Sequence, residues 1–320
     1  FEHNSISAKT RERALAALAA LPVDVYLLPG NHDPLTADSI FYRAESHPRI
    51  HVFADDTPIE VAPGVELIGA PWHSKTPSCD LVSHAIAGLE PAATIRIVVG
   101  HGQLDNRSND IRMDIIDRDT VEAAIRGGTI DYLALGDTHS AMSLSDTGAI
   151  WFSGAPEVTA FRELPSGQGE NNSGKALIVD ITKSAAAQAE VTVTETQIGT
   201  WRFDAISADV NSLDDVRDFI AQLDAYPRKD RTVIKYSLVG AVDLATRQHL
   251  EAELARLRPL FAHLYPRTRT MNLTTAATDV DIADLDLSGF VLAAAQELAT
   301  DTDPVASDAL NLLFQLHNEV

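Results

Sequence analysis

Cysteine, positive charge and long apolar runs are all scarce in this 320-residue chain. The single cysteine, Cys79, has no partner for an internal disulfide, so the fold must be held by core burial, and a reducing cytoplasm is the expected compartment. The longest apolar stretch, Ala14 to Leu28, is broken by Pro22 and Asp24, whereas a bilayer span needs ~20 clean residues. No membrane partner and no secretory signal are therefore expected. Lys and Arg total 25 against 46 Asp and Glu, a net charge of −21 shared almost evenly between the two halves. A broad basic surface for phosphate neutralisation is excluded, and any action on nucleic acid must rely on local arginine clusters or bound metal. P-loop, cysteine-rich zinc and serine-nucleophile patterns are also missing. The chain opens on Phe1, and its first methionine is Met113, so its natural beginning is expected to lie upstream.

What is present is an alternation of helical and strand patterns, the signature of an α/β layered fold. Ser7 or Thr10 can cap a helix from Arg11 to Ala20 with Leu15, Leu18 and Leu21 on one face. Strands are expected at Val23 to Leu28, Ile50 to Ala54, Ile59 to Val61, Val65 to Ala70, Ile95 to Val99 and Tyr132 to Leu135. Helices are expected near Ala37 to Ser46 and at Thr120 to Arg126. Further strands follow at Ile150 to Ser153, Ala176 to Ile181 and Glu190 to Gln197, with a polar loop over Gly167 to Gly174. After Trp201 the composition shifts to a βαβα order: Arg202 to Val210, Leu213 to Leu223, Thr232 to Val239 and Leu244 to Leu257, then a mixed stretch from Phe261 to Leu273. Helices at Phe290 to Ala299 and Pro304 to His317 are expected to close the chain, and no Lys or Arg follows Arg269. The apolar Leu310, Leu312, Leu313, Phe314 and Leu316 of this acidic tail must bury against the protein or a partner.

Three expected strands end directly in polar residues: Gly30-Asn31-His32-Asp33-Pro34, Gly100-His101 and Gly136-Asp137-Thr138-His139. Ligands of α/β sheets bind beyond the carboxyl ends of the strands, so one rim is furnished with functional groups. Asn31 offers an amide oxygen, His32, His101 and His139 offer imidazoles, and Asp137 offers a carboxylate, donors that first-row divalent cations accept. Gly30 permits the sharp turn that presents Asn31 and His32. His73, after Trp72, is a weaker pocket residue, and the remaining histidines show no ligand spacing. Arg112 with Arg118, Arg228 with Lys229 and Arg231, and Arg267 with Arg269 are pairs able to meet phosphates, with a solvated surface role as the alternative.

The order G-N-H-D, then G-H, then G-D-x-H resembles the calcineurin-like metallophosphoesterases. Tyr132-Leu133-Ala134-Leu135-Gly136-Asp137 followed by Trp151-Phe152-Ser153-Gly154-Ala155-Pro156-Glu157 is similar to their SbcD-like and YhaO-like DNA repair nuclease branch. The resemblance covers Phe1 to about Leu273. It implies an α/β fold, a layered β-sandwich flanked by helices with a smaller α+β capping domain. The corresponding division is a catalytic domain over 1–200, a capping domain over 201–273 and an acidic helical segment over 274–320.

The resemblance also implies a dinuclear site for manganese, with magnesium as the alternative. Asn31, His101 and Asp137 would bind one ion and His139 the other, His32 would act on the scissile phosphate, and Asp33 would orient His32 or the turn. The family places D-x-H on its first strand and G-D on its second, and neither precedes Gly30 here. Those ligands are expected upstream of Phe1, and the chain as given is expected to bind one ion well and hydrolyse little. Asp137 stands where most of the family has histidine, a carboxylate that favours hard cations. The expected activity is phosphodiester hydrolysis on DNA, as a repair exonuclease with an SMC-like ATPase partner, and a homodimer is compatible with it. A phosphodiesterase for small molecules such as cyclic nucleotides, and a catalytically inert binding subunit, remain open.

Overall fold

The computed structural model describes the chain except residues 2, 45–46, 106–114, 186–187, 276–286, 302, 304, 307–308, 311–312 and 314–320. Arg112, together with Leu312, Phe314, Leu316 and most of the expected helix from Pro304 to His317, lies outside the described residues. The protein is mixed α/β and divides into two compact units, Phe1–Glu157 with Asn172–Gly199, and Val158–Asn171 with Thr200–Val320. Among the described residues no helix is long and apolar enough to cross a membrane.

The first unit opens with α1 (Ala8–Ala19), whose cap is Ser7: its hydroxyl accepts the Thr10 N–H at 3.1 Å. Leu15 alone in α1 is fully buried, against Ala44 and Ile50. Next come β1 (Val25–Leu27), α2 (Phe41–Ala44) and β2 (Ile50–Val52), which lies parallel to β1. Helix α2 is shorter than the pattern at Ala37 to Ser46 suggests, because the Thr36–Ser39 backbone closes a turn and the Ser39 hydroxyl takes the Phe41 amide.

The chain then runs through β3 (Ile59–Ala62), β4 (Val65–Gly69), α3 (Leu81–Ile86), β5 (Ile95–His101), β6 (Gln103–Asp105) and β7 (Ile115–Asp117). It continues with α4 (Arg118–Arg126), β8 (Tyr132–Gly136), β9 (Met142–Ser143) and β10 (Ile150–Phe152). One six-stranded sheet has the order β3-β4-β5-β8-β10-β9, with β4, β5, β8 and β10 parallel and antiparallel strands at both edges. After an excursion into the second unit for β11 (Arg162–Leu164), the chain returns for an antiparallel hairpin, β12 (Lys175–Thr182) and β13 (Glu190–Gln197).

Alternation along the parallel strands sorts their side chains onto two faces. Val98, Leu133 and Leu135 share a face that meets the helices: a Cβ at Gly100 would lie 2.6 Å from Val82 of α3 and 3.2 Å from Leu135. Val99, Ala134 and Trp151 share the opposite face, over which Leu177 and Val179 of β12 line a common cavity. The hairpin is pinned by Lys183, whose ammonium straddles the Asp131 carboxylate, 3.0 Å from Oδ2 as a hydrogen bond and 2.9 Å from Oδ1. Both side chains are fully buried, and Lys183 also donates to the carbonyls of Thr94 and Gly128.

The second unit consists of β11, β14 (Arg202–Asp209), α5 (Leu213–Asp224), β15 (Thr232–Val242), α6 (Leu244–Leu257), β16 (His263–Pro266), β17 (Asn272–Thr275) and α7 (Gly289–Thr300). Its sheet has the order β11-β14-β15-β16, with β17 also on β15 and every pairing parallel. The face bearing Ile206, Ile234, Tyr236 and Leu238 buries against Val216, Phe219 and Leu223 of α5 and Leu250, Leu254 and Leu257 of α6. Segment 158–171 joins this unit because Arg162 grips the buried Asp204 with two bonds of 3.1 and 3.2 Å. Arg202 and the Tyr226 hydroxyl complete the shell of that carboxylate at 2.7 and 2.8 Å.

Candidate functional site

Strand β5 and strand β8 lie side by side with His101 opposite Gly136, so the two polar strand ends are brought together by register alone. The turn after β1 supplies the third contribution. His101 Nε2 is 2.9 Å from Asn31 Oδ1 and 3.6 Å from Asp137 Oδ1, bringing an imidazole, an amide oxygen and a carboxylate from three strand ends to one point. Asp137 holds φ at +104°, a conformation costly for a residue with a Cβ and often retained at functional sites.

Two glycines make room for the imidazole. A Cβ at Gly30 would stand 2.9 Å from His101 Cε1, and one at Gly136 would stand 2.8 Å from Nδ1. Trp72 fixes the backbone beneath, donating its indole N–H to the His101 carbonyl at 2.8 Å, with its ring edge-on to the imidazole. Asp33 is buried and its Oδ1 accepts the Gly30 N–H at 3.1 Å, which closes the turn. Burial holds the His101 pKa below the ordinary histidine value, with Asp137 and Asp33 pulling the other way. The ring is therefore neutral at neutral pH, the form in which a nitrogen lone pair can bind a cation.

His32 and His139 are exposed, and the His139 carbonyl accepts the Ala155 N–H at 2.8 Å. Among the described residues no three His, Cys, Asp or Glu side chains form a group able to hold a metal ion. The His101–Asp137 pair gains a third donor only from the Asn31 amide. That nitrogen, amide-oxygen and carboxylate set fits one divalent cation of the manganese or magnesium kind, incompletely, and does not build a second site. His73 is exposed and faces Asp55. Arg118, Arg228 and Arg267 are engaged with Asp146, Asp230 and Glu163, respectively.

Beside His101 opens a cavity of about 510 Å³. Its walls are Val99, Tyr132, Ala134 and Trp151 of the sheet and Leu177 of β12, with Leu28 beyond β1, and Ser153 and Lys175 add polar groups. Sequence reasoning missed Trp72 as a support and the cavity as a whole. The position of Ser153 directly after β10, parallel to β8, was the available signal for the polar part.

Fold and site together define a mixed α/β protein with a small polar donor cluster at the carboxyl rim of a largely parallel sheet. Comparison with protein-family models and with curated proteins gives no match for this sequence.

Proposed function

We propose that this chain is a metal-dependent phosphodiesterase of the calcineurin-like metallophosphoesterase superfamily, in the SbcD-like DNA repair nuclease branch. The observation that carries the reading is the convergence of Asn31, His101 and Asp137 from three strand ends, with Asn31 70 residues from His101 in sequence. In this reading these three residues hold one divalent ion and His139 belongs to a second. A metal centre supplies Lewis-acid stabilisation of a phosphoryl oxygen and activation of water. His32, exposed and next to Asn31 in sequence, would protonate the leaving oxygen or stabilise charge on the phosphate. Asp33 holds the turn that presents both.

The two-layer arrangement, with the β12–β13 hairpin over one face of the six-stranded sheet and helices on the other, is in keeping with the superfamily's sandwich. The D-x-H and G-D ligands are not among the residues ahead of Gly30. Strands β1 and β12 each pair with one strand only among the described residues, and Leu28 and Leu177 line the apolar cavity beside them. Strands carrying those two motifs would find free edges and apolar surface there. The second unit takes the place of the capping domain, and an SMC-like ATPase is the partner this branch implies. A small-molecule phosphodiesterase is the second reading, favoured by the apolar-walled cavity beside His101 and by the net charge of −21.

Calorimetric titration with Mn2+ tests the proposal. One tight site is expected, lost in Asp137→Ala and retained in part in Asp137→His with preference drifting toward zinc or cobalt. No site at all, or a site indifferent to Asp137→Asn and Asp137→Ala alike, would remove the ligand assignment. Two tight sites would contradict the placing of further ligands in D-x-H and G-D.

A further inference from the structure

Among the described residues, the helices α5 and α6 both pack on one face of the second unit's sheet, and the residues on the other face have an unusual chemistry. Register puts Phe203 opposite Val233, Val233 opposite His263, and Lys235 opposite Tyr265, so these side chains share the face turned away from α5 and α6. All of them are partly or fully exposed. Phe161, just before β11, extends the row: its ring centroid is 5.4 Å from that of Phe203, and Lys235 Nζ lies 4.2 Å above it. The His263 and Tyr265 rings are 4.6 Å apart. At the end of the strands Arg231 stands 5.6 Å over the ring of Trp201, which is 38% exposed.

Rings therefore alternate with cations on this face in a chain whose aromatic content is 6% and whose net charge is −21. Glu163 is the carboxylate that pairs with Lys235 and Arg267, which share it, and Asp230 neighbours Arg231. Lys235, Arg231 and Arg267 outnumber Glu163 here, and Asp209 lies at the opposite end of the same face of β14, away from Trp201 and Phe203. Flat, half-exposed rings spaced by ammonium and guanidinium groups match the alternation of bases and phosphates in an unpaired strand, because every base offers a π-face and every linkage an anion. A duplex hides its base faces and would meet only the cations.

We infer that this open sheet face is a stacking platform for single-stranded nucleic acid, with Phe203 and Tyr265 taking bases and Lys235 taking a phosphate. The inference deepens the nuclease reading and rests on it for the choice of a nucleic-acid ligand. The test is run without divalent metal, so that it does not depend on hydrolysis. The full chain is titrated with a fluorescein-labelled oligodeoxythymidylate about twelve nucleotides long in EDTA, and then with a blunt duplex and with polyphosphate.

The single strand should bind more tightly than the duplex, and polyphosphate should compete poorly. Phe203→Leu and Tyr265→Leu, which keep an apolar group in place, should each weaken binding on the order of tenfold. Lys235→Gln should flatten the salt dependence by about one unit. Phe290→Leu, on α7 and 84% exposed, should change nothing. No binding at low salt, or equal binding by both Leu variants at unchanged thermal midpoint, overturns the platform. So does full displacement by polyphosphate, which would mark a charge-only surface. Binding with these dependences in a protein whose calorimetric Mn2+ site is absent, or indifferent to Asp137→Ala, would remove the nuclease reading and leave the platform standing.

Discussion

The sheet of the first unit has its parallel strands covered on both faces, by α3 and α4 on one side and by the β12–β13 hairpin on the other. Function has only the strand ends to occupy there, and Asn31, His101 and Asp137 gather at them. The sheet of the second unit is also parallel, yet α5 and α6 both pack on the face of Ile206, Ile234 and Leu238. Its other face keeps rings and cations in partial contact with solvent. Parallel pairing thus does not decide where chemistry is displayed; the number of covered faces does.

The contrast is broken most sharply through the buried charges. Lys183→Met leaves Asp131 uncompensated where both side chains are fully buried, and should cost about 3–5 kcal/mol. Hydrogen exchange resolved by segment should show the loss across β8, β12 and α4 while α5, β15 and α6 keep their protection. Equal loss in both units would mean that they unfold as one and that the division is only geometric.

Steric pressure at the rim comes next. Gly136→Ala sets a Cβ 2.8 Å from His101 Nδ1, against a ring also confined by Gly30, and should cost about 1–3 kcal/mol. Mn2+ affinity should fall with it. Gly64→Ala meets nothing within 4 Å and should leave metal binding alone, though its φ of +76° carries a modest strain. An undiminished Mn2+ site in Gly136→Ala would separate His101 from the metal.

A graded effect follows from the depressed His101 pKa, whose first cause is burial. The unfolded chain takes up this proton at a higher pH than the folded one, so the contribution is complete above about pH 6.5 and is lost as pH falls through the folded value. Mn2+ binding should weaken in the same direction, because the proton and the cation compete for one lone pair. Chemical-shift titration of the His101 ring reads this directly, and a midpoint at or above about 6.5, the ordinary histidine value, would contradict it.

The smallest effects compare like with like in the two units. Ser212→Ala removes the acceptor for the Asp215 N–H at the start of α5, and Asp117→Ala removes the acceptor for the Asp119 N–H at the start of α4. Each should cost about 1 kcal/mol, confined to its own unit in the same exchange experiment. The Asp117 variant should leave oligonucleotide binding unchanged.

Much of the local structure was legible. The alternation of Glu190–Gln197 and the period of Leu244–Leu257 predict β13 and α6 to the residue, since each is amphipathic and bounded by polar or capping residues. The three polar strand ends were legible for the same reason: an apolar run that stops at Gly-His or Gly-Asp announces a rim. Helix α3 was not legible, because its six residues carry no full period and depend on Asp80, which caps Ser83 and also takes the Asp117 amide 37 residues away. Strand β11 was hidden within a stretch read toward the first domain; it joins the second unit through an arginine whose carboxylate lies 42 residues further on.

By itself, then, the sequence determined the α/β character, the strand ends that bear donors and the βαβα order after Trp201, because backbone periodicity and caps act over a few residues. Tertiary structure alone decided that Asn31 and Asp137 meet His101, that Gly30 and Gly136 hold its ring, and which sheet face stays open. Those outcomes depend on register and on which surfaces pair across the chain, and neither is encoded within any single element.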